Sequence, residues 1–342
     1  MSAAKPVLNT ESIAQDILGS IEREREREII ARRFGLFDRK ETLEQIGELL
    51  GITRERVRQL EKSVMTKLRA TAGELPHISE VETALLAAIE AAGQTARITT
   101  LGAELTAENS RTDQSRLAFL TELTPGVSAI AEDDNFYQSA GNSSVHDETA
   151  IKKEVAKLVE VIGKAGKPLD TKELTKQAAM QSDAYAAALA STSKQLATLN
   201  GRWGLVKWPT VNPKNIRDKI YVILSENGKH MHFNEIAEAI KASDFKRKDV
   251  TTQAIHNELI KDKRFVLIGR GIYALREWGY KKGTVADIIS EVLKEAGEPL
   301  HRDEIVKRVL KSRFVKETTI LLNLQSKPQF KRVAKATYEL AE

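Results

Sequence analysis

The sequence predicts a mainly α-helical fold with small β-hairpin wings, organised as an N-terminal helix-turn-helix followed by tandem modules of winged-helix-like outline. Three observations carry that prediction: apolar residues recur at helical spacing, a Gly-centred junction joins two amphipathic stretches near residue 51, and a block of about 65 to 70 residues recurs after Pro76. A chain of 342 residues that is 41% hydrophobic and 5% aromatic suits several small helical domains better than one large core.

The first element is TLEQIGELLGITRERVRQLEKSVMTKLR, from Thr42 to Arg69. Leu43, Ile46 and Leu50 mark the apolar face of a short helix that ends at Gly51, a residue free to take positive φ. Ile52 tucks into the junction and Thr53 is placed to cap a second helix from Arg54. In that helix Val57, Leu60, Val64 and Leu68 form the buried stripe, so Arg54, Glu55, Arg58, Gln59 and Lys62 fall on the opposite side. A DNA major groove admits one helix, arginine pairs with guanine, glutamine with adenine, and a carboxylate accepts from cytosine. All three residue types occupy the first two turns. The preceding alternation from Glu22 to Glu28 reads as an exposed helical face without chemistry, its i,i+3 and i,i+4 charge pairs partly cancelling.

The run from Ile29 to Arg69 resembles region 4 of primary sigma factors, the part of those proteins that reads the promoter minus-35 element. TLEQIG, GITRERVRQLE and the closing KLR carry the likeness. The resemblance implies that Arg54, Glu55, Arg58 and Gln59 face DNA bases. It further implies that Thr42, Leu43, Arg56 and Lys62 lie near the DNA backbone, with Arg33 also approaching phosphate. Only 28 residues precede Ile29, so the chain is not expected to be a complete sigma factor.

The repeated block has an apolar first helix, a Gly-centred turn, two further helical patterns and a β-like ending. The turns lie at Gly93, Gly166, Gly228 and Gly297; the endings NFYQSA, RWGLVK, GIYALR and ATYELA align the aromatics Tyr137, Trp203, Tyr273 and Tyr338. Leu174, Ile236, Ala237, Ile305 and Val306 are placed to pack against the first helix of their module. This outline is that of a winged helix. The expected boundaries are 1–75 for the helix-turn-helix, 77–146 for an acidic module, and 147–210, 211–282 and 283–342 for the rest. In RFVLIGRGIYALR, Phe265, Leu267, Ile272 and Ala274 alternate about Gly269-Arg270-Gly271, a hairpin whose tip residue Arg270 is either a wing contact to phosphate or a soluble turn.

Residues 215–278 also resemble the HARE winged-helix domain, a fold shared by the delta subunit of bacterial RNA polymerase and several chromatin or restriction-linked proteins. HFNEIAEAI, TTQAIHNEL and FVLIGRGIYAL carry that likeness. It implies a DNA- or polymerase-linked adaptor without catalysis, and assigns no specific contacts.

Charge is segregated beneath a net +5. Residues 21–73 hold 13 Lys and Arg against 10 Asp and Glu, residues 74–148 hold 3 against 13, and residues 149–342 hold 36 against 23. Basic ends around an acidic block suit contact with phosphate backbones, while the acidic block is expected to avoid DNA. The absence of cysteine removes thiolate zinc sites and cysteine nucleophiles, and fits a reducing compartment. Residues 1–20 lack the pattern of an export signal and no apolar stretch is long enough for a membrane span, so a cytoplasmic, nucleoid-associated location is expected. No nucleotide-binding glycine fingerprint or HExxH occurs. His230, His232 and His256 read as core or surface residues, and Glu132, Asp133 and Asp134 as a solvated turn, so neither an enzyme nor a metal or other cofactor is expected. The partners left open are promoter-like double-stranded DNA for a transcription regulator or sigma-like accessory factor, and core RNA polymerase for a docking adaptor. A specificity module of a restriction system is a third, less supported reading.

Overall fold

The computed structural model describes residues 7–245 and 249–341, so the start of the expected 1–75 domain and the last residue of the 283–342 module lie outside the described residues. The chain divides into two units, residues 1–207 and 208–342.

In the first unit, helix α1 (Thr10–Gly19) starts where the Asn9 side chain accepts the Ser12 amide. Helix α2 (Glu24–Phe34) is followed by α3 (Leu43–Leu50) and α4 (Arg54–Ala70). The helix predicted across Glu22–Glu28 begins only at Glu24, and Arg25 is more than a solvated charge. Its guanidinium donates to the Leu50 carbonyl at 2.6 Å, tying α2 to the end of α3. Helices α2 and α4 have two apolar faces. Ile29 meets Ile46 and Val57 in a small cluster flanked by Leu43, Leu50, Ile52 and Leu60. Ile30, Phe34, Val64, Met65 and Leu68 turn the other way and join a larger core. Three fully buried side chains are too few to hold a domain alone, so the helix-turn-helix draws its stability from packing against the first repeat.

That repeat consists of α5 (Ile78–Ala92), β1 (Thr95–Arg97), α6 (Ile98–Leu105), α7 (Arg111–Leu123), β2 (Val127–Ile130) and β3 (Ser139–Asn142). The order recurs in α8 (Glu148–Ala165), β4 (Leu169–Asp170), α9 (Thr171–Gln177), α10 (Asp183–Thr192), β5 (Leu196–Leu199) and β6 (Arg202–Leu205). Each repeat closes a three-stranded antiparallel sheet in which the last strand lies between the other two.

Helix α7 is where this unit is joined. Arg116, Leu117, Ala118, Phe119, Leu120, Thr121 and Leu123 are all buried. Phe119 meets Phe34 of α2 edge to face, with ring centroids 5.1 Å apart. Arg116 donates to the Leu36 carbonyl at 2.7 Å and pairs with Glu11 of α1 at 2.8 Å, and Thr10 donates to Asp113 at 2.9 Å. Helix α10 packs in the same manner against the first repeat. Its face is mostly alanine, which lets backbones approach: a Cβ on Gly93 would stand 2.5 Å from the Ala184 carbonyl oxygen. Tyr137 donates its amide to Thr192, Lys194 its amide to Asn135, and a β-bridge joins Phe136 to Ser193.

The second unit carries the same order twice. The first copy comprises α11 (Ile216–Asn227), β7 (Met231–His232), α12 (Phe233–Ala242), α13 (Thr252–Lys261), β8 (Phe265–Gly269) and β9 (Ile272–Leu275). The second comprises α14 (Val285–Ala296), β10 (Leu300–His301), α15 (Arg302–Ser312), α16 (Glu317–Ser326), β11 (Phe330–Ala334) and β12 (Thr337–Leu340). Both sheets again place the last strand centrally. The first helices end on the glycines read from the sequence, and Leu174, Ile236, Ala237, Ile305 and Val306 are buried.

Two details differ from the sequence reading. In the last three repeats the aromatic of the final strand faces the first strand: Leu169 opposite Trp203, Met231 opposite Tyr273, Leu300 opposite Tyr338. In the first repeat that place belongs to Ala140, opposite Ala96, and Tyr137 lies before the strand, exposed. The apolar alternation of the Arg264–Arg276 hairpin also breaks. A register shift between Leu267 and Gly269 leaves Leu267 exposed and turns Ile268 into a cluster with Val266 and Ala274.

Candidate nucleic-acid interface

The turn between α3 and α4 is built from local chemistry. Thr42 and Gln45 form a reciprocal capping box at the start of α3. Gly51 closes that helix at φ 63° in the left-handed region. Gly47 lets the crossing chain come close, since a Cβ there would stand 2.7 Å from the Ile52 carbonyl oxygen. Thr53 then accepts the Arg56 amide, as its position in the sequence predicts. Val57, Val64 and Leu68 are buried with Leu60 beside them; Met65, outside the predicted stripe, is buried as well.

Arg54, Glu55, Arg58 and Gln59 are all exposed on one side of the first two turns of α4, with Arg56 and Lys62 flanking them. Glu55, Arg56, Arg58 and Gln59 form one network. Arg58 donates two hydrogen bonds to Glu55, at 2.7 and 2.9 Å, Gln59 donates to the same carboxylate at 3.3 Å, and Arg56 donates to Gln59 at 3.4 Å. The Arg58 contact holds the Glu55 carboxyl below the ordinary carboxylate range. Arg58 and Glu55 are more than half exposed, so this surface pair is weakly held and can be exchanged for a base edge.

Of the predicted backbone-proximal residues, Thr42 is exposed at the start of α3 and Leu43 is half-buried against the Ile29–Ile46–Val57 cluster. Arg33 is paired with Glu61 at 3.3 Å. It lines a cavity of about 450 Å³ with Lys40, Arg58, Lys62 and Arg69, closed by Glu122 of α7 and by Glu132. Arg69 meets Glu122 at 2.7 Å, and burial raises the Glu122 carboxyl above its ordinary value in spite of that partner. The acidic repeat therefore brings two carboxylates to the flank of the basic helix. Charge counting alone does not find this, because the encounter depends on how α7 docks.

Residues 23–70 match the family model for sigma-70, region 4. They form a sigma-70 region 4 domain. Over 56 residues the chain is 46% identical to the RNA polymerase sigma factor SigA of a Bacillus species, a match covering 16% of this chain and 15% of that protein. It is 55% identical over 49 residues to the RNA polymerase sigma factor RpoD of Helicobacter pylori strain 26695, covering 14% and 7%. A third relative is the RNA polymerase sigma factor sigB of Arabidopsis thaliana, 52% identical over 46 residues, covering 13% and 8%. The chain thus spans between 7% and 15% of the length of these relatives. Region 4 is a non-catalytic, DNA-binding helix-turn-helix of sigma factors, and the exposed network on α4 lies within it.

Arg270 is exposed in the turn between β8 and β9. His230 packs at a tilt against Phe314 with centroids 4.4 Å apart, His256 packs edge-on to Phe233 at 5.1 Å, and His232 caps α12. Asp133 accepts the amides of Asn135 and Phe136 at 2.7 Å, and Glu132 pairs with Lys194 at 2.8 Å. No described helix is long and apolar enough to cross a membrane.

Proposed function

We propose that this chain is a transcription regulator or sigma-like accessory factor that reads promoter-like double-stranded DNA through α4. Arg54, Glu55, Arg58 and Gln59 meet base edges, and Thr42, Leu43, Arg56 and Lys62 lie along the phosphate backbone, with Arg33 approaching it from its pair with Glu61. The observation that carries this reading is the exposed Arg58–Glu55–Gln59 network inside a region 4 domain. The α-β-α-α-β-β order and the central last strand support reading the four repeats as winged-helix modules, with residues 215–278 of HARE type. In that scheme Arg270 is a wing contact and the basic C-terminal modules add affinity that falls with salt. A cytoplasmic, nucleoid-associated location belongs to the same proposal.

Glu122 and Glu132 beside α4 favour a second reading, in which the domain docks on core RNA polymerase as an adaptor without reading sequence. Fluorescence-anisotropy titrations of the full chain with a minus-35-like duplex and a scrambled duplex, at two salt concentrations, separate the two. Sequence reading predicts a preference for the first duplex, which Arg58→Ala reduces by about 1 to 3 kcal/mol. Equal affinities in the wild type would overturn it. Retention of core polymerase by nuclease-treated protein would favour the adaptor.

A further inference from the structure

The repeats share a position whose occupant changes character in the first of them. The residue entering the second helix is Asp170, His232 and His301 in the last three repeats, and each of these side chains accepts an amide of the helix it precedes. Strand register places Arg97 at the same point of the first repeat, where α6 begins with no side-chain cap. The Arg97 guanidinium instead lies 3.8 Å from the centroid of the Tyr137 ring and donates to the Ser191 carbonyl. Among the described residues it has no carboxylate partner, and burial draws it below the usual arginine range.

Arg97 and Tyr137 open onto a cleft of about 700 Å³ that Arg39, Lys40 and Arg111 also line. None of these four cations takes part in an ion pair among the described residues. Of the two carboxylates at the cleft, Glu132 is already held by Lys194 at 2.8 Å, leaving Asp38. Residues 74–148 contain only three basic residues. Arg116 is engaged by Glu11, and the other two, Arg97 and Arg111, both face this cleft. Two exposed rings border it, Phe37 at 42% and Tyr137 at 38% exposure. Four convergent cations outnumber the carboxylates Asp38 and Glu132 at the cleft and repel one another, and that cost is offset when a polyanion fills the space. Exposed rings beside them offer stacking surfaces, which unpaired bases use and bases stacked within a duplex do not.

We propose that this cleft binds a nucleotide unit, its phosphates held by Arg39, Lys40, Arg97 and Arg111 and its base stacked on Phe37, while the Tyr137 ring carries Arg97. The unit is a free nucleoside polyphosphate or part of an unpaired strand. The cleft shares Lys40, Glu132 and Gln138 with the cavity beside α4, but none of the base-facing residues of α4 lines it, so it stands whether or not those residues read DNA.

The test uses the full chain with four probes: a fluorescent adenosine triphosphate, a labelled eight-residue oligothymidylate, a labelled duplex of the same length, and inorganic tripolyphosphate as competitor. Arg39→Gln and Arg111→Gln change exposed side chains and leave the core intact. The triphosphate or the single strand is expected to bind the wild type. Each variant should weaken that binding by about tenfold, the effect of removing one charge-assisted hydrogen bond, and Phe37→Ser should weaken it further. Preference for the triphosphate identifies a free nucleotide as the source, and preference for the oligothymidylate an unpaired strand. Three results would overturn the proposal: no binding of either probe, binding indifferent to Arg39→Gln and Arg111→Gln, or tripolyphosphate and duplex competing as well as the nucleotide probes.

Discussion

The third helices of the four repeats occupy equivalent places in sequence order and have opposite fates. Helix α7 buries seven of its thirteen residues and α10 six of its ten, whereas α13 buries Ile255 and Leu259 alone and α16 only Ile320 and Leu324. In the first two repeats the third helix is a fastening: α7 closes the core under α2 and α4, and α10 closes against β1 and α5. In the last two it keeps a face open to solvent, including Ile260 and Leu322, each 63% exposed. One supersecondary unit therefore serves two ends according to how wide the apolar arc of a single helix is. A helix apolar on most sides becomes interior, and one with a single stripe keeps a free face.

The largest effect should follow removal of the ring that locks the first fastening. Phe119 is fully buried against Phe34, so Phe119→Ala is expected to cost about 3 to 5 kcal/mol in urea unfolding. Hydrogen exchange should accelerate in α2 and α4 as well as α7. Acceleration confined to α7 would mean that the helix-turn-helix does not share this core.

The second fastening is tested by comparing equivalent glycines. Gly93 and Gly166 both end a first helix with positive φ, but only at Gly93 would a Cβ meet backbone, the Ala184 carbonyl; at Gly166 the space is open. Gly166→Ala should therefore lose about 1 kcal/mol from left-handed strain alone. Gly93→Ala should lose about 1 to 3 kcal/mol more, from the clash with α10. Equal losses in thermal unfolding would show that α10 does not press on Gly93.

A smaller effect depends on pH. His146 is buried beside α10, 2.9 Å from Thr95 and edge-on to Tyr185. Burial lowers its pKa, against the raising influence of Asp147 and Glu154. Its neutral form is thus the folded one, and as pH falls below about 6.5 the unfolded chain takes up the proton first. Stability is flat above that point and declines below it, towards the depressed folded value. Urea midpoints at pH 7.5 and 5.5 should diverge in the wild type and diverge less in His146→Gln. The smallest effect belongs to the free helices: Ile260→Ala and Leu322→Ala should each shift stability by no more than about 0.5 kcal/mol. A larger loss would show that those faces are covered after all.

Much of this contrast is present in the residues. LAFL at Leu117–Leu120 is apolar on consecutive helical positions, and AYAAALA at Ala184–Ala190 is nearly all small, while TQAIHNELIK has one apolar stripe. The Thr53 cap, the Gly51 junction and the exposure of Arg54, Glu55, Arg58 and Gln59 are equally readable, because they depend on neighbours within a few residues. The features that escape such reading depend on tertiary register. Tyr137 matches the other aromatics by eye, yet Ala140 takes the strand position. Arg25 reads as one charge in a run and instead ties down the end of α3. Arg39, Lys40, Arg97 and Arg111 span more than seventy positions, and nothing local announces that they line one cleft.

Because Phe119 and Arg116 bolt α7 to α1, α2 and the chain after α2, the region 4 domain lacks the freedom of a head on a tether. It and the acidic repeat turn together, as the handle turns with a key. If α4 sits in a groove, every base pair inserted between its site and a second contact of the same unit rotates that contact by about a tenth of a turn around the duplex. The spacing of paired sites would then matter by phase as well as by distance, and a half-turn insertion would silence what a full-turn insertion restores.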